Sequence, residues 1–341
     1  MSVDLRTRYL GLDLRSPIVA SASPATGELE TTQLLDEAGV GAIVLPSLFE
    51  EEILNDEIQL NRSLETGAGQ FAEALEYFPT VDSLPGVGER YLARLSQIKA
   101  QSTVPVIASL NATTAGGWVR YAKLMQDAGA DALELNLYRV AADPARTAEE
   151  MDAADLDLIA AVRASVTIPL AVKLSPYYSA FASFAGAAIG RGADGLVLFN
   201  RFYQPDLDLE TLDVVNRVEL SRPSEIRLPL RWIAILRPQL GAKVSLAASS
   251  GVHSGSDVVK QLLVGADVAM MTSALLRHGP GHVRTVEQEL RGWMEEHEYE
   301  SVTQLRGSVS QATAHNPAAY ERANYMQTLH SWSTPPEAAR A

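Results

Sequence analysis

The chain has 341 residues, 47% of them apolar, with 28 Lys and Arg against 42 Asp and Glu and a net charge of −14. That apolar content supplies one large core or two smaller ones, and an acidic surface argues against nucleic acid and anionic membrane as partners. The absence of cysteine removes disulfides, thiolate–metal sites and any cysteine nucleophile or base.

The start, MSVDLRTRYL, lacks the apolar stretch of a signal peptide. No apolar run reaches the roughly 18 residues of a membrane helix. The expected location is the cytoplasm. The six histidines show no metal-ligand spacing, so no metal is expected.

Asp4 to Arg15 predicts a small hairpin, with Gly11 between Tyr9-Leu10 and Leu12-Leu14. From Pro17 two kinds of half-repeat alternate. One reads as glycine, a small residue, then a strand: GVGAIVLPS from Gly39, GADALELNL from Gly129, GADGLVLFN from Gly192 and GADVAMMTS from Gly265. The other is SPIVASAS from Ser16, VPVIASLN from Val104, IPLAVKLS from Ile168 and AKVSLAAS from Ala242.

Together they predict eight strands. Helical segments separate most of them, among them Leu29 to Ala38, Gly117 to Ala128, Ala148 to Ser165 and Phe181 to Arg191. Strands alternating with helices imply a parallel sheet, and eight such units closing on themselves are the (β/α)8 TIM barrel. An open doubly wound sheet is the alternative. The expected division is a barrel over 1–310 and a polar extension over 311–341.

Two connections are long. Ser47 to Ser102 carries the acidic run Glu50 to Glu52, the glycines Gly67 and Gly69, and a helix from Gly88. Arg201 to Pro229 carries aromatics, acids and prolines. Loops of this length in a compact domain serve as lids or oligomer contacts.

Polar residues at the C-terminal ends of barrel strands are functional candidates. Here they are Ser21 and Ser23, Ser47, Asn111, Asn136, Lys173 and Ser175, Asn200, Ser250-Gly251 and Thr272-Ser273, from the first strand to the eighth. Lys173 lies inside the apolar AVKLSP, where a lysine requires an anion or acceptors beside it. Asn136 and Asn200, within ELNL and VLFN, offer a donor and an acceptor each. The stretch Val244 to Pro280 reads as strand, turn, helix, strand, turn. Its two strand ends, Ser250-Gly251 and Thr272-Ser273, offer free backbone N–H groups for a phosphate.

The motifs, in order and spacing, resemble the dihydroorotate dehydrogenase family. They are Tyr9-Leu10-Gly11-Leu12 with Ser16-Pro17, Glu134-Leu135-Asn136-Leu137, Val172 through Tyr177, Ser250 through Gly255, and Ala274-Leu275 through Gly279-Pro280. The resemblance covers most of the chain, to about Gly307. It implies an FMN-binding barrel that oxidises dihydroorotate to orotate in pyrimidine biosynthesis. By position, Ser250-Gly251 and Thr272-Ser273 would hold the FMN phosphate. Ser21, Ala22 and Ser23 would lie under the ring. Ser47, Asn111, Asn136 and Asn200 would contact flavin or substrate, and Lys173 would stabilise negative charge on reduced flavin.

Other positions depart from the family. Asn136-Leu137 is followed by Tyr138-Arg139, so Arg139 aligns with the family's cysteine base, and an arginine is a poor base. Pro46 replaces a lysine before Ser47, and Arg201 replaces a small hydroxyl residue. The expected function is therefore a flavin-dependent dehydrogenase acting on a CH–CH bond. Tyr138 is the substitute acid or base, and Arg139 and Arg201 are clamps for the carboxylate of a small cyclic substrate. A redox partner protein and a homodimer are the partners in view. Two other readings remain: a phosphate-binding barrel lyase or isomerase with Lys173 as Schiff-base or electrostatic group, and a non-catalytic flavin or nucleotide binder working with a redox partner.

Overall fold

The computed structural model describes residues 3–55, 86–111, 115–201 and 203–331. Gly67, Gly69 and the last ten residues of the tail lie outside the described residues. Among the described residues twelve strands run β1 (Thr7–Tyr9), β2 (Leu12–Leu14), β3 (Ile18–Ala20), β4 (Ala42–Phe49), β5 (Val106–Asn111), β6 (Ala132–Asn136), β7 (Leu170–Leu174), β8 (Gly195–Leu198), β9 (Asp206–Asp208), β10 (Asp213–Val215), β11 (Ser245–Ser249) and β12 (Val268–Met271). Eight of them close in the order β11-β12-β3-β4-β5-β6-β7-β8, every pair parallel. This is the closed (β/α)8 barrel, not the open sheet. Helices Leu29–Ala38, Val87–Gln101, Ala115–Asp127, Ala148–Ser165, Phe181–Gly190, Arg227–Leu240 and Gly255–Val264 connect the strands. No described helix is long and apolar enough to cross a membrane.

The repeated Gly-Ala-Asp has a physical role. Gly129, Gly192 and Gly265 hold φ of +99°, +102° and +115°, which ends the preceding helix in the left-handed region. Two residues later, Asp131, Asp194 and Asp267 each accept the backbone N–H of a neighbouring strand, from Val106, Leu170 and Leu246 at 2.8, 2.8 and 2.7 Å. Each carboxylate also pairs with a cation: Lys99 at 2.7 Å, Arg163 at 3.0 Å and Arg237 at 2.6 Å. Asp267 additionally pairs with Arg306, which ties the C-terminal segment to the barrel floor.

The β1–β2 hairpin closes the N-terminal end of the barrel. Leu10 and Gly11, with φ of +53° and +77°, make its two-residue turn. Its Tyr9, Leu10 and Leu14 pack against Val19, Val44, Ile107, Ala132, Ala171 and Val197 inside the barrel. Side chains alternate along a strand, so two residues further on β3, β5, β6 and β7 the interior turns polar: Ser21, Ser109, Glu134 and Lys173. The apolar plug thus leaves one polar mouth, at the C-terminal ends.

Two features differ from the sequence reading. Strand β4 runs on to Phe49 rather than stopping at Ser47. Its pairing with β5 shifts between Val44 and Ser47 and then resumes. Pro46 sits in that irregularity, where its missing N–H costs no ladder bond. The connection after β8 folds a hairpin of its own, β9–β10, in which Val214 faces Leu207.

Candidate active site

Two clusters face each other across the mouth. The first joins the ends of β4, β5, β6 and β7. Ser47 Oγ and Ser109 Oγ lie 2.8 Å apart, and Asn136 Nδ2 donates to Ser47 Oγ at 3.3 Å. The Tyr91 hydroxyl donates to Ser109 O at 3.3 Å and accepts from Ser109 N at 3.2 Å, which fixes this seam from the helix Val87–Gln101. Asn200 spends its amide N–H groups on the carbonyls of Leu137 and Lys173, at 3.1 and 3.3 Å. Its side chain therefore locks the ends of β6 and β7. Asn111 and Ser21 are buried at the same level.

Lys173 is buried, and its Nζ lies 3.6 Å from Glu134 Oε1. Among the described residues neither Glu134 oxygen has a hydrogen-bond partner, and neither does Asn136 Oδ1. Buried acceptors are ordinarily satisfied, so the unmatched Asn136 Oδ1 at the end of β6 offers a place for a ligand's donor, while the Glu134 carboxylate lies beside Lys173.

The second cluster lies at β11 and β12. Ser250 and Gly251 follow β11 with φ of +79° and +76°. Gly251 is required there twice over: a Cβ would lie 2.3 Å from Ile226 N, besides the left-handed backbone. Among the described residues the N–H groups of Ser250 and Gly251 reach no acceptor. The next turn is rigid. Asp257 Oδ2 accepts from His253 N, Ser254 N and Ser254 Oγ at 3.1, 3.1 and 2.9 Å, capping the helix Gly255–Val264. Thr272 and Ser273 follow β12, and Ser273 Oγ accepts from Ser221 N at 2.8 Å.

Ser221 Oγ in turn lies 3.2 Å from His253 Nε2. The connection after β8 is thus laced across both loops. Burial, then the Arg277 charge, holds the His253 imidazole below its ordinary 6.5. Neither Ser221 nor His253 stood out as a site residue in the sequence, because their pairing joins two loops far apart in the chain.

Tyr138 and Arg139 line a cavity of about 390 Å³ beside the mouth, with Trp118, Met151 and Asp155 from the flanking helices. Arg139 Nη1 pairs with Asp155 Oδ1 at 3.3 Å, and the Tyr178 hydroxyl donates to Asp155 Oδ2 at 3.1 Å. Burial pushes the Asp155 carboxyl up, against the pull of Arg139 and Tyr178. Arg201 pairs with Glu225 at 3.2 Å. Both arginines expected to clamp a carboxylate thus already hold a carboxylate of the chain itself.

A dihydroorotate dehydrogenase family model matches residues 84–294. Curated relatives match nearly the whole chain. A chloroplastic dihydropyrimidine dehydrogenase (NADP(+)) of Arabidopsis thaliana is 23% identical over 338 residues, covering 92% of this chain and 78% of that one. The catalytic subunit of dihydroorotate dehydrogenase B (NAD(+)) of Thermoplasma volcanium is 23% identical over 316 residues, covering 89% and 98%. A putative dihydroorotate dehydrogenase A (fumarate) of Aeropyrum pernix is 25% identical over 321 residues, covering 91% and 98%.

Proposed function

The chain belongs to the dihydroorotate dehydrogenase family, and from that premise we propose that it holds FMN across the barrel mouth and oxidises a small carboxylated cyclic substrate, dihydroorotate first among the candidates. The observation that carries this reading is the unmatched buried acceptor Asn136 Oδ1 at one side of the mouth, opposite the Ser250 and Gly251 N–H groups, which reach no acceptor among the described residues. The donor set fits the group: an anion-binding turn on one side, amide and ammonium groups on the other.

When bound, FMN supplies a hydride acceptor. The chain does the rest. Ser250-Gly251 and Thr272-Ser273 hold the phosphate, and Ser21 and Ala22 support the ring. Ser47, Asn111, Asn136 and Asn200 orient the ring and the substrate. Lys173 places positive charge where electron density accumulates.

Loss of a hydride from a CH–CH bond also releases a proton, which needs an acceptor. Arg139, in the position that resembles the family's base, carries no acceptor atom on its side chain and is engaged by Asp155. Tyr138 is the proton-handling residue of this loop, and Asp155 lines the same cavity. Electrons then leave to a redox partner protein.

We also infer a homodimer through the β9–β10 hairpin. A two-stranded ribbon is marginal in water, and this one exposes Leu207 at 62% and Val214 at 64% on one face.

The test is anaerobic mixing of the FMN-loaded protein with dihydroorotate. Bleaching of the flavin bands, slowed at least tenfold in Tyr138→Phe with FMN binding intact, supports both substrate and base. Bleaching at an unchanged rate in the variant removes Tyr138 as the base. Flavin that stays oxidised removes dihydroorotate.

A further inference from the structure

Among the described residues Glu134 is the most deeply buried charged side chain near the mouth, 1% exposed. Neither of its oxygens finds a hydrogen-bond donor among the described residues. A carboxylate taken out of water in that way needs a compensating charge. The cation at hand is Lys173, whose Nζ lies 3.6 Å away, with the two side chains 10% and 1% exposed. The strand register puts Lys173 opposite Asn136 and Glu134 opposite Ala171. The carboxylate therefore enters the barrel one interior layer below the lysine, on the side away from the mouth.

The neighbours do not share the task. The Tyr9 hydroxyl, at the plug, is buried and without a partner. Burial, together with the charges of Glu134 and Asp267, keeps its phenol protonated, and the Tyr91 phenol is held in the same way by burial and Glu134. Both are neutral. Asp267 already has Arg237 and Arg306. Among the described residues, the buried ion pair beneath the mouth is thus one lysine and one glutamate, which sum to zero.

We propose that Glu134 is a charge-balancing residue that sets the reduction potential of the bound flavin by neutralising Lys173 from below. This rests on the FMN site proposed above. The physical reason is direct. Two electrons and one proton taken up by the flavin leave a reduced ring with one negative charge. A bare ammonium beside the ring favours that product, and an ammonium paired with a carboxylate favours it far less. The chain thereby keeps the lysine's hydrogen-bonding capacity at the mouth while lowering its field. Glutamine in place of Glu134 retains the shape and removes the charge.

The experiment measures FMN affinity and the two-electron midpoint potential of bound FMN, by dithionite titration against a reference dye, in the wild type, Glu134→Gln and Glu134→Gln/Lys173→Gln. Glu134→Gln is expected to shift the reduction equilibrium toward reduced flavin at least tenfold, which is about 30 mV upward for a two-electron couple. The double variant removes both charges together. Its equilibrium is expected less than tenfold from the wild type, because the pair carries no net charge and the two groups lie only one layer apart. It also preserves the test if Glu134→Gln alone does not fold. An unchanged or lowered potential in Glu134→Gln overturns the proposal, and so does a tenfold or larger shift in the double variant. A wild type that binds no FMN overturns the flavin reading and this inference with it. Tight FMN binding with a potential indifferent to Glu134 overturns this inference alone.

Discussion

Gly251→Ala probes the turn after β11 at its tightest point. Gly251 holds φ of +76°, and a Cβ there would meet Ile226 N at 2.3 Å and Ile226 Cα at 2.9 Å. A side chain in the left-handed region costs about 1–2 kcal/mol. Relieving a backbone overlap by local shifts costs about 1–3 kcal/mol more. The sum is roughly 2–5 kcal/mol of stability. The strain does not stay local, because Gln261 Nε2 donates to Ile226 O at 3.2 Å and Glu225 holds Arg201. Relief at Ile226 therefore moves the loop that covers Ser250 and Ser273. Urea unfolding of the apoprotein is expected to show that loss of stability, and flavin fluorescence quenching an FMN affinity at least tenfold weaker, or about 1.4 kcal/mol. Ser250→Gly, which removes a Cβ from a φ of +79°, is the control and is expected to keep stability within about 1 kcal/mol. Gly251→Ala with unfolding within about 0.5 kcal/mol of wild type and unchanged FMN affinity would refute the reasoning.

Two further outcomes follow from the same contacts. The folded chain keeps His253 neutral below the 6.5 at which an unfolded imidazole takes its proton. Its contribution to stability is therefore complete above that value and is lost as pH falls from it toward the depressed folded value. Thermal unfolding between about pH 7.5 and 5.5 is expected to show this slope, and His253→Gln to flatten it; an identical slope in the variant contradicts the assignment. Leu207→Asp places a charge on the exposed face of the β9–β10 hairpin beside Val214 and is expected to convert the dimer to monomer by light scattering. A monomeric wild type contradicts the inferred interface.

The barrel was legible because its signals are local. Gly129, Gly192 and Gly265 end helices by backbone conformation, and the aspartates two residues later anchor the next strands. The helix Ala148–Ser165 starts where Thr147 and Glu150 form a capping box, so its ends were readable to the residue. The helix Leu29–Ala38 ends at Gly39 with φ of +105°.

What depends on pairing between distant segments was not legible. Lys173 stood out as a lysine in an apolar strand. Its partner Glu134 did not, because their meeting depends on how β6 and β7 are staggered around the barrel. The same holds for Arg139, which a sequence comparison sets in the base position and the fold pairs with Asp155. The β9–β10 hairpin was missed because Asp206, Asp208 and Asp213 have poor strand propensity, although the alternation Asp-Leu-Asp-Leu from Asp206 to Leu209 was present.

Lys173 also separates the competing chemistries. A Schiff-base lysine needs an amine free to attack a carbonyl, and Nζ here is engaged by the buried Glu134 carboxylate at 3.6 Å. Borohydride with a carbonyl substrate is accordingly expected to trap nothing.

The most direct test of the central claim is the visible absorption spectrum of the protein purified after incubation with FMN and then freed of unbound flavin. The account predicts flavin bands at one FMN per chain, retained in the wild type and diminished in Gly251→Ala. A colourless wild type with the fold intact by circular dichroism would contradict it.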